Sequence, residues 1–234
     1  MKKNSVKKVA LDMYIEQMKW SVWFIGIIMA VYIGFNIAAN FFDLDFIDNL
    51  LGFSEGSSII YMFVIGIIAG LAFLPQFIKL GVTRRHVFYG TVISAILVSI
   101  SLPLIFSLFT GVEYLLSRLL NFKVAEPIFR NFTATFFLYS LNIFVGYLLG
   151  WLIQVGFYKF NWKAGLLFIA LAGGVIALYT LIWKDSIISL YSTDLGTLGT
   201  GLPFLLSLLK TLALILFVLI TIRTLTKRIS IKIK

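Results

Sequence analysis

The chain has 234 residues, 60% of them hydrophobic and 13% charged, with a formal net charge of +10. Soluble domains are nearer half apolar and a quarter charged, and a soluble fold of this composition would leave large apolar patches in water. There is no cysteine and one histidine, His86, which excludes disulfides, thiolate metal sites, cysteine nucleophiles and histidine-rich metal motifs.

The first 19 residues read as an amphipathic helix. Lys8, Asp12, Glu16 and Lys19 recur at spacings of four, four and three, which makes one polar stripe. Val6, Val9, Ala10, Met13 and Gln17 lie largely opposite. Asp12 is one turn from Lys8, an ion-pair spacing. The pattern predicts a helix lying in the inner membrane interface with its lysines toward anionic headgroups. The blander reading is a basic flank that only orients the first span. A cleaved signal peptide is not expected, because the apolar run that follows is too long and more runs come after it.

A membrane helix needs about 20 mostly apolar residues. Six runs meet that length, at 20–42, 57–78, 87–111, 132–157, 164–183 and 203–222. They are continuously apolar rather than alternating, which selects helices over barrel strands. The expected fold is therefore an all-α membrane protein, a single domain over 1–234 with six spans after the interfacial helix. The loops set its orientation. With the N-terminus inside, the inner segments hold 15 basic residues and the outer ones 5. The first outer loop, FDLDFIDNLLGFSEG, has four acids and no basic residue. By the positive-inside rule both termini are cytoplasmic. That topology accounts for most of the positive charge, so membrane lipids rather than nucleic acid are its expected partners.

The connection at 111–131 reads as outside, with a short surface helix through Leu115, Leu116, Leu119, Leu120 and Phe122 that ends before Pro127. The one at 183–203 reads as a surface loop with Gly196, Gly199 and Gly201. Pro75 and Pro103 are expected to kink or end their helices, since each removes a backbone donor. Gly66 and Gly70, and Gly146 and Gly150, are spaced four apart, which lets helices approach closely within one unit or between two copies. Asn142 and Gln154 either bridge helices or face a cavity.

The chemistry of an engine is missing. No GxxxxGK[ST] loop or HExxH motif occurs. The six runs contain essentially no buried Asp, Glu or Arg, where an ion-coupled transporter would place them. Lys210 is the exception, and its stem is long enough to snorkel to the outer interface.

Between the second and third runs lies KLGVTRRHVFYG, residues 79–90. Gly81 suits a turn that other residues resist. Thr83 is a candidate N-cap for the next helix. Arg84 and Arg85 are expected to project into the cytoplasm, where guanidinium groups suit carboxylates of a partner. The plainer reading is that they obey the positive-inside rule and touch lipid phosphate. Gly81, Val82, Thr83, Arg84 and Arg85, followed by Phe88 and Tyr89, resemble a basic element at this place in the ABC-2 type permeases of Gram-positive bacteria. The overall plan is also similar to theirs, above all to small exporter permeases such as those of the staphylococcal phenol-soluble modulin exporter.

That resemblance implies a coupling element made of Lys79, Gly81, Val82, Thr83, Arg84, Arg85, His86 and Phe88, seated in a groove of a separate ABC ATPase subunit. It implies ATP and Mg on that subunit, no cofactor on this chain, and a second permease, identical or similar. The expected function is the transmembrane subunit of an ATP-driven exporter of hydrophobic or amphipathic cargo. The alternative is a non-transporting accessory or assembly subunit. A lipid-modifying enzyme would need an acid–base or metal constellation not recognised here.

Overall fold

The computed structural model describes residues 3–42, 49–120, 132–160, 162–192 and 202–227. Among them there is no strand. The elements are α1 (Lys3–Phe42), α2 (Leu50–Ile68), a π-helical turn (Ala69–Phe73), α3 (Leu74–Lys79), α4 (Arg84–Leu120), α5 (Phe132–Lys159), α6 (Trp162–Ser192) and α7 (Leu202–Thr226). Six helical stretches are long and apolar enough to cross a membrane, with α2, the π turn and α3 forming one of them. The chain is a multi-pass membrane protein.

Several helices outrun the apolar runs that nucleate them. At 1.5 Å per residue, α1 is about 60 Å long, twice the ~30 Å hydrocarbon core. The interfacial helix expected over 1–19 is not a separate element, because Lys3–Phe42 is uninterrupted. A helix lying in the interface would have to turn sharply to enter the membrane. Here its apolar face instead packs along α4: a Cβ on Gly90 would fall 2.5 Å from Val9 Cγ1. The polar stripe points away, with Lys8, Asp12 and Lys19 exposed and Glu16 half-buried. Lys19 pairs with Glu16 at 3.0 Å, the one ion pair among the described residues, so the Lys8–Asp12 pair does not form.

The second span begins well before its apolar run because Asn49 caps it, its side chain accepting from the Gly52 N–H at 3.0 Å. Such a cap is worth about 1 kcal/mol. Pro75 does not end this span. It lies in the first turn of α3, directly after the π-helical turn, and the wider turn accommodates its ring and missing donor. Pro103 lies inside α4, which continues through it. The surface helix expected near 115–122 is, through Leu120, the end of α4 itself, since nothing in GVEYLLSRLL breaks the helix. Pro127, the rest of that connection, and Gly196, Gly199 and Gly201 lie outside the described residues.

The bundle is built on two parallel pairs. α1 runs beside α4, and α2 runs beside α5, which also touches α4, α6 and α7. The glycine pairs explain the second contact. A Cβ on Gly66 would fall 2.1 Å from the Tyr147 carbonyl oxygen, and one on Gly150 would fall 2.0 Å from that of Phe63. Each glycine Cα therefore lies directly against the facing backbone, close enough for Cα–H···O contacts. Both small-residue pairs are spent inside one chain. A polar layer ties the other elements together. Gln17, fully buried, donates to the Tyr147 hydroxyl at 3.1 Å and accepts from Ser94 at 2.9 Å, joining α1, α5 and α4. Ser21 bonds Tyr61 at 2.9 Å.

Candidate functional site

The α3–α4 connection is a four-residue corner, Leu80–Gly81–Val82–Thr83. Gly81 has φ +77, the left-handed conformation that glycine adopts without a Cβ penalty. The Val82 N–H reaches the Phe77 carbonyl at 2.9 Å and the Gly81 N–H that of Ile78 at 2.9 Å. This bond pair is a Schellman motif, which closes a helix by satisfying its last carbonyls. Thr83 then starts α4: its hydroxyl accepts from the His86 N–H at 3.4 Å and its carbonyl from the Val87 N–H at 3.1 Å. Stop and start signals thus abut, and the corner has little freedom.

The residues expected to form one surface divide into two groups. Lys79, Thr83 and Arg85 are exposed, and between them Leu80 stands 71% exposed at the tip. The Arg85 guanidinium lies 5.8 Å from the Tyr89 ring. Val82 and His86 are half-buried, and Phe88 is buried against Trp151, with ring centroids 5.4 Å apart. Arg84 departs from expectation. It is half-buried, and its Nη1 donates to the Lys227 carbonyl at 3.2 Å. Arg223 reciprocates, donating to the Arg84 carbonyl at 3.5 Å and lying 5.3 Å from the Phe88 ring. The reason is the end of α7, whose last carbonyls lack helical donors. The first turn of α4 stands beside them and supplies one. Val9 and Lys227 both meet the start of α4, so the two ends of the described chain lie at the basic corner.

A second cluster lies at the opposite end of the bundle, and its two acids, Glu55 and Glu113, fall outside the six apolar runs. Because α2 and α4 begin earlier and end later than the apolar runs, they carry Glu55 and Glu113 as helical residues. Both lie in stretches read from the sequence as connections, and both are helical here. The Tyr32 hydroxyl donates to Glu113 Oε1 at 2.5 Å. Asn142 of α5 donates to Glu55 Oε1 at 2.7 Å and accepts from the Tyr179 hydroxyl of α6. Asn142 is therefore a bridge across three helices. Beside it, the Tyr139 hydroxyl bonds Ser54 at 2.9 Å and Ser58 at 2.7 Å.

Asn142, Tyr179 and Thr180 edge a cleft of about 410 Å³, otherwise lined by apolar residues of α2, α5 and α6. Gln154 makes no comparable bridge. It is 4% exposed, both its side-chain polar atoms lack partners, and its oxygen occupies the space a Cβ on Gly70 would take. Lys210 is exposed on α7.

The sequence is expected to hold no GxSxG elbow, yet one such spacing is present. Residues 52–56 read GFSEG, the GxSxG pattern of a hydrolase nucleophile elbow. Here the stretch is helical, not a strand-to-helix turn, and Ser54 Oγ donates to the Leu51 carbonyl at 2.9 Å. His86 lies at the other end of the span, beside the basic corner. Among the described residues the partners of Ser54 Oγ are the Leu51 carbonyl and the Tyr139 hydroxyl, neither of them a general base. No protein-family model, no curated protein and no solved structure matches the chain.

Proposed function

We propose that the chain is the transmembrane subunit of an ATP-driven ABC exporter in a bacterial cell membrane, with both termini and the basic corner facing the cytoplasm. ATP and Mg bind a separate ATPase subunit, and a second permease, identical or similar, completes the assembly. The cargo is hydrophobic or amphipathic. The observation that carries this reading is the corner: a turn closed by a Schellman motif leaves Leu80 exposed between Lys79, Thr83 and Arg85. An exposed leucine with basic neighbours is an anchor for an apolar pocket rimmed by carboxylates. Because Arg84 and Arg223 hold the corner to α7, force on the tip passes to two spans at once.

The test is affinity purification from native membranes in mild detergent, with mass spectrometry of co-purifying proteins. A stoichiometric ABC ATPase, lost from Leu80→Asp with Arg85→Ala while the chain stays inserted, is the expected result. Absence of any ATPase from a folded preparation would transfer the reading to a non-transporting accessory subunit.

A further inference from the structure

The cleft between α2, α5 and α6 has a charged end with no counter-charge among the described residues. Glu55, Ile59 and Phe63 are spaced four apart on α2, so they stand one above another on one helix face. Ile59 and Phe63 line the cleft, as does Asn142, which holds the Glu55 carboxylate. Among the described residues that single hydrogen bond is Glu55's only partner, and no basic side chain pairs with it. A carboxylate within a span ordinarily has a cation, a bundle interior or an aqueous cavity to face. The cleft is apolar below this point, and its volume of about 410 Å³ falls in the range of small-molecule sites, roughly 300–1,000 Å³.

We propose that this cleft binds an amphipathic cation, its head on Glu55 beside Asn142 and Tyr179 and its apolar body along Ile59, Phe63 and Leu149. Charge complementarity selects the occupant, because an anionic or neutral amphiphile would leave the carboxylate without a counter-charge. As the cargo site of an exporter, the cleft rests on the function proposed above. Binding itself needs no ATPase, so the two readings fail separately.

The experiment is photolabelling of the full-length chain in dodecyl maltoside with a diazirine-bearing dodecyltrimethylammonium, followed by peptide mapping. Labelling is expected to concentrate on 59–63 and 142–149, to saturate, and to be displaced by unlabelled dodecyltrimethylammonium. Glu55→Gln should lower it at least tenfold at unchanged melting temperature. Ile176→Trp, on an exposed lining position, should fill the cleft and abolish labelling with Glu55 intact, which guards against a folding defect in the first variant. Equal labelling of all lipid-facing helices, unchanged labelling in both variants, or equal saturable labelling by an alkyl sulfate analogue would overturn the proposal. So would displacement by small mole fractions of phosphatidylethanolamine, which would assign the cleft to bilayer headgroups.

Discussion

Replacing Gly150 by alanine tests the α2–α5 contact directly. The new Cβ would lie 2.0 Å from the Phe63 carbonyl oxygen, 2.9 Å from its carbon and 3.1 Å from the Ile67 nitrogen. All three are backbone atoms, so no side-chain rotation relieves the clash. To bring the first contact to even 3.0 Å the helices must part by about 1 Å. A gap of that size forfeits a quarter to a half of each dispersion contact along the seam. The Cα–H···O contact, worth about 0.5–1 kcal/mol, is lost as well. Against lipid there is no hydrophobic gain to offset this, since packing itself drives helix association.

The better helix propensity of alanine returns about 1 kcal/mol, leaving a net destabilisation of about 1–3 kcal/mol, as for other overpacked cores. Gly174→Ala is the control, because its Cβ meets nothing within 4 Å, and it should be neutral or slightly stabilising. Unfolding in dodecyl maltoside–dodecyl sulfate mixtures, followed by circular dichroism, reads the difference. If Gly150→Ala unfolds like Gly174→Ala, the close approach is refuted. If it leaves the monomer intact and only dissociates a dimer, the glycines serve a contact between copies.

Three further outcomes follow from single residues. Gln17→Leu strands the Tyr147 and Ser94 hydroxyls and should cost about 1–3 kcal/mol in the same unfolding assay. Gly81→Ala forces a side chain into φ +77 and should cost about 1–2 kcal/mol, whereas Gly26→Ala, in open space, should not. Arg84→Ala should speed hydrogen exchange at the end of α7, because the Lys227 carbonyl loses its donor. Arg85→Ala should leave that exchange unchanged, and equal effects of the two would remove the distinction between them.

Local signals carried the corner. Gly81 and Thr83 were legible because a helix stop and a helix start are written in adjacent residues. The division of labour between Arg84 and Arg85 was not legible, since the partner of Arg84 lies 143 residues away. The placement of Glu55 and Glu113 in helices was missed for a related reason. Hydropathy assigned Glu55 and Glu113 to loops, but helices stop where caps and packing end them rather than where greasiness does. Asn49, three residues before Gly52, was the available sign that α2 starts early.

The sequence alone determined that six segments are long and apolar enough to cross a membrane, because partition into hydrocarbon is a property of each segment by itself. It also determined which end is basic. It could not decide whether the first 19 residues lie on the membrane or against the bundle, because an amphipathic stripe buries equally well against lipid or protein. The tertiary structure supplied the protein contacts: Val9 meets Gly90, and Gln17 meets a tyrosine 130 residues away. It likewise decided that Gly66, Gly146 and Gly150 face backbone of the same chain and Gly70 the Gln154 side chain. Small-residue spacing states only that something can come close, and the partner is chosen by how the remaining helices fill the space around it.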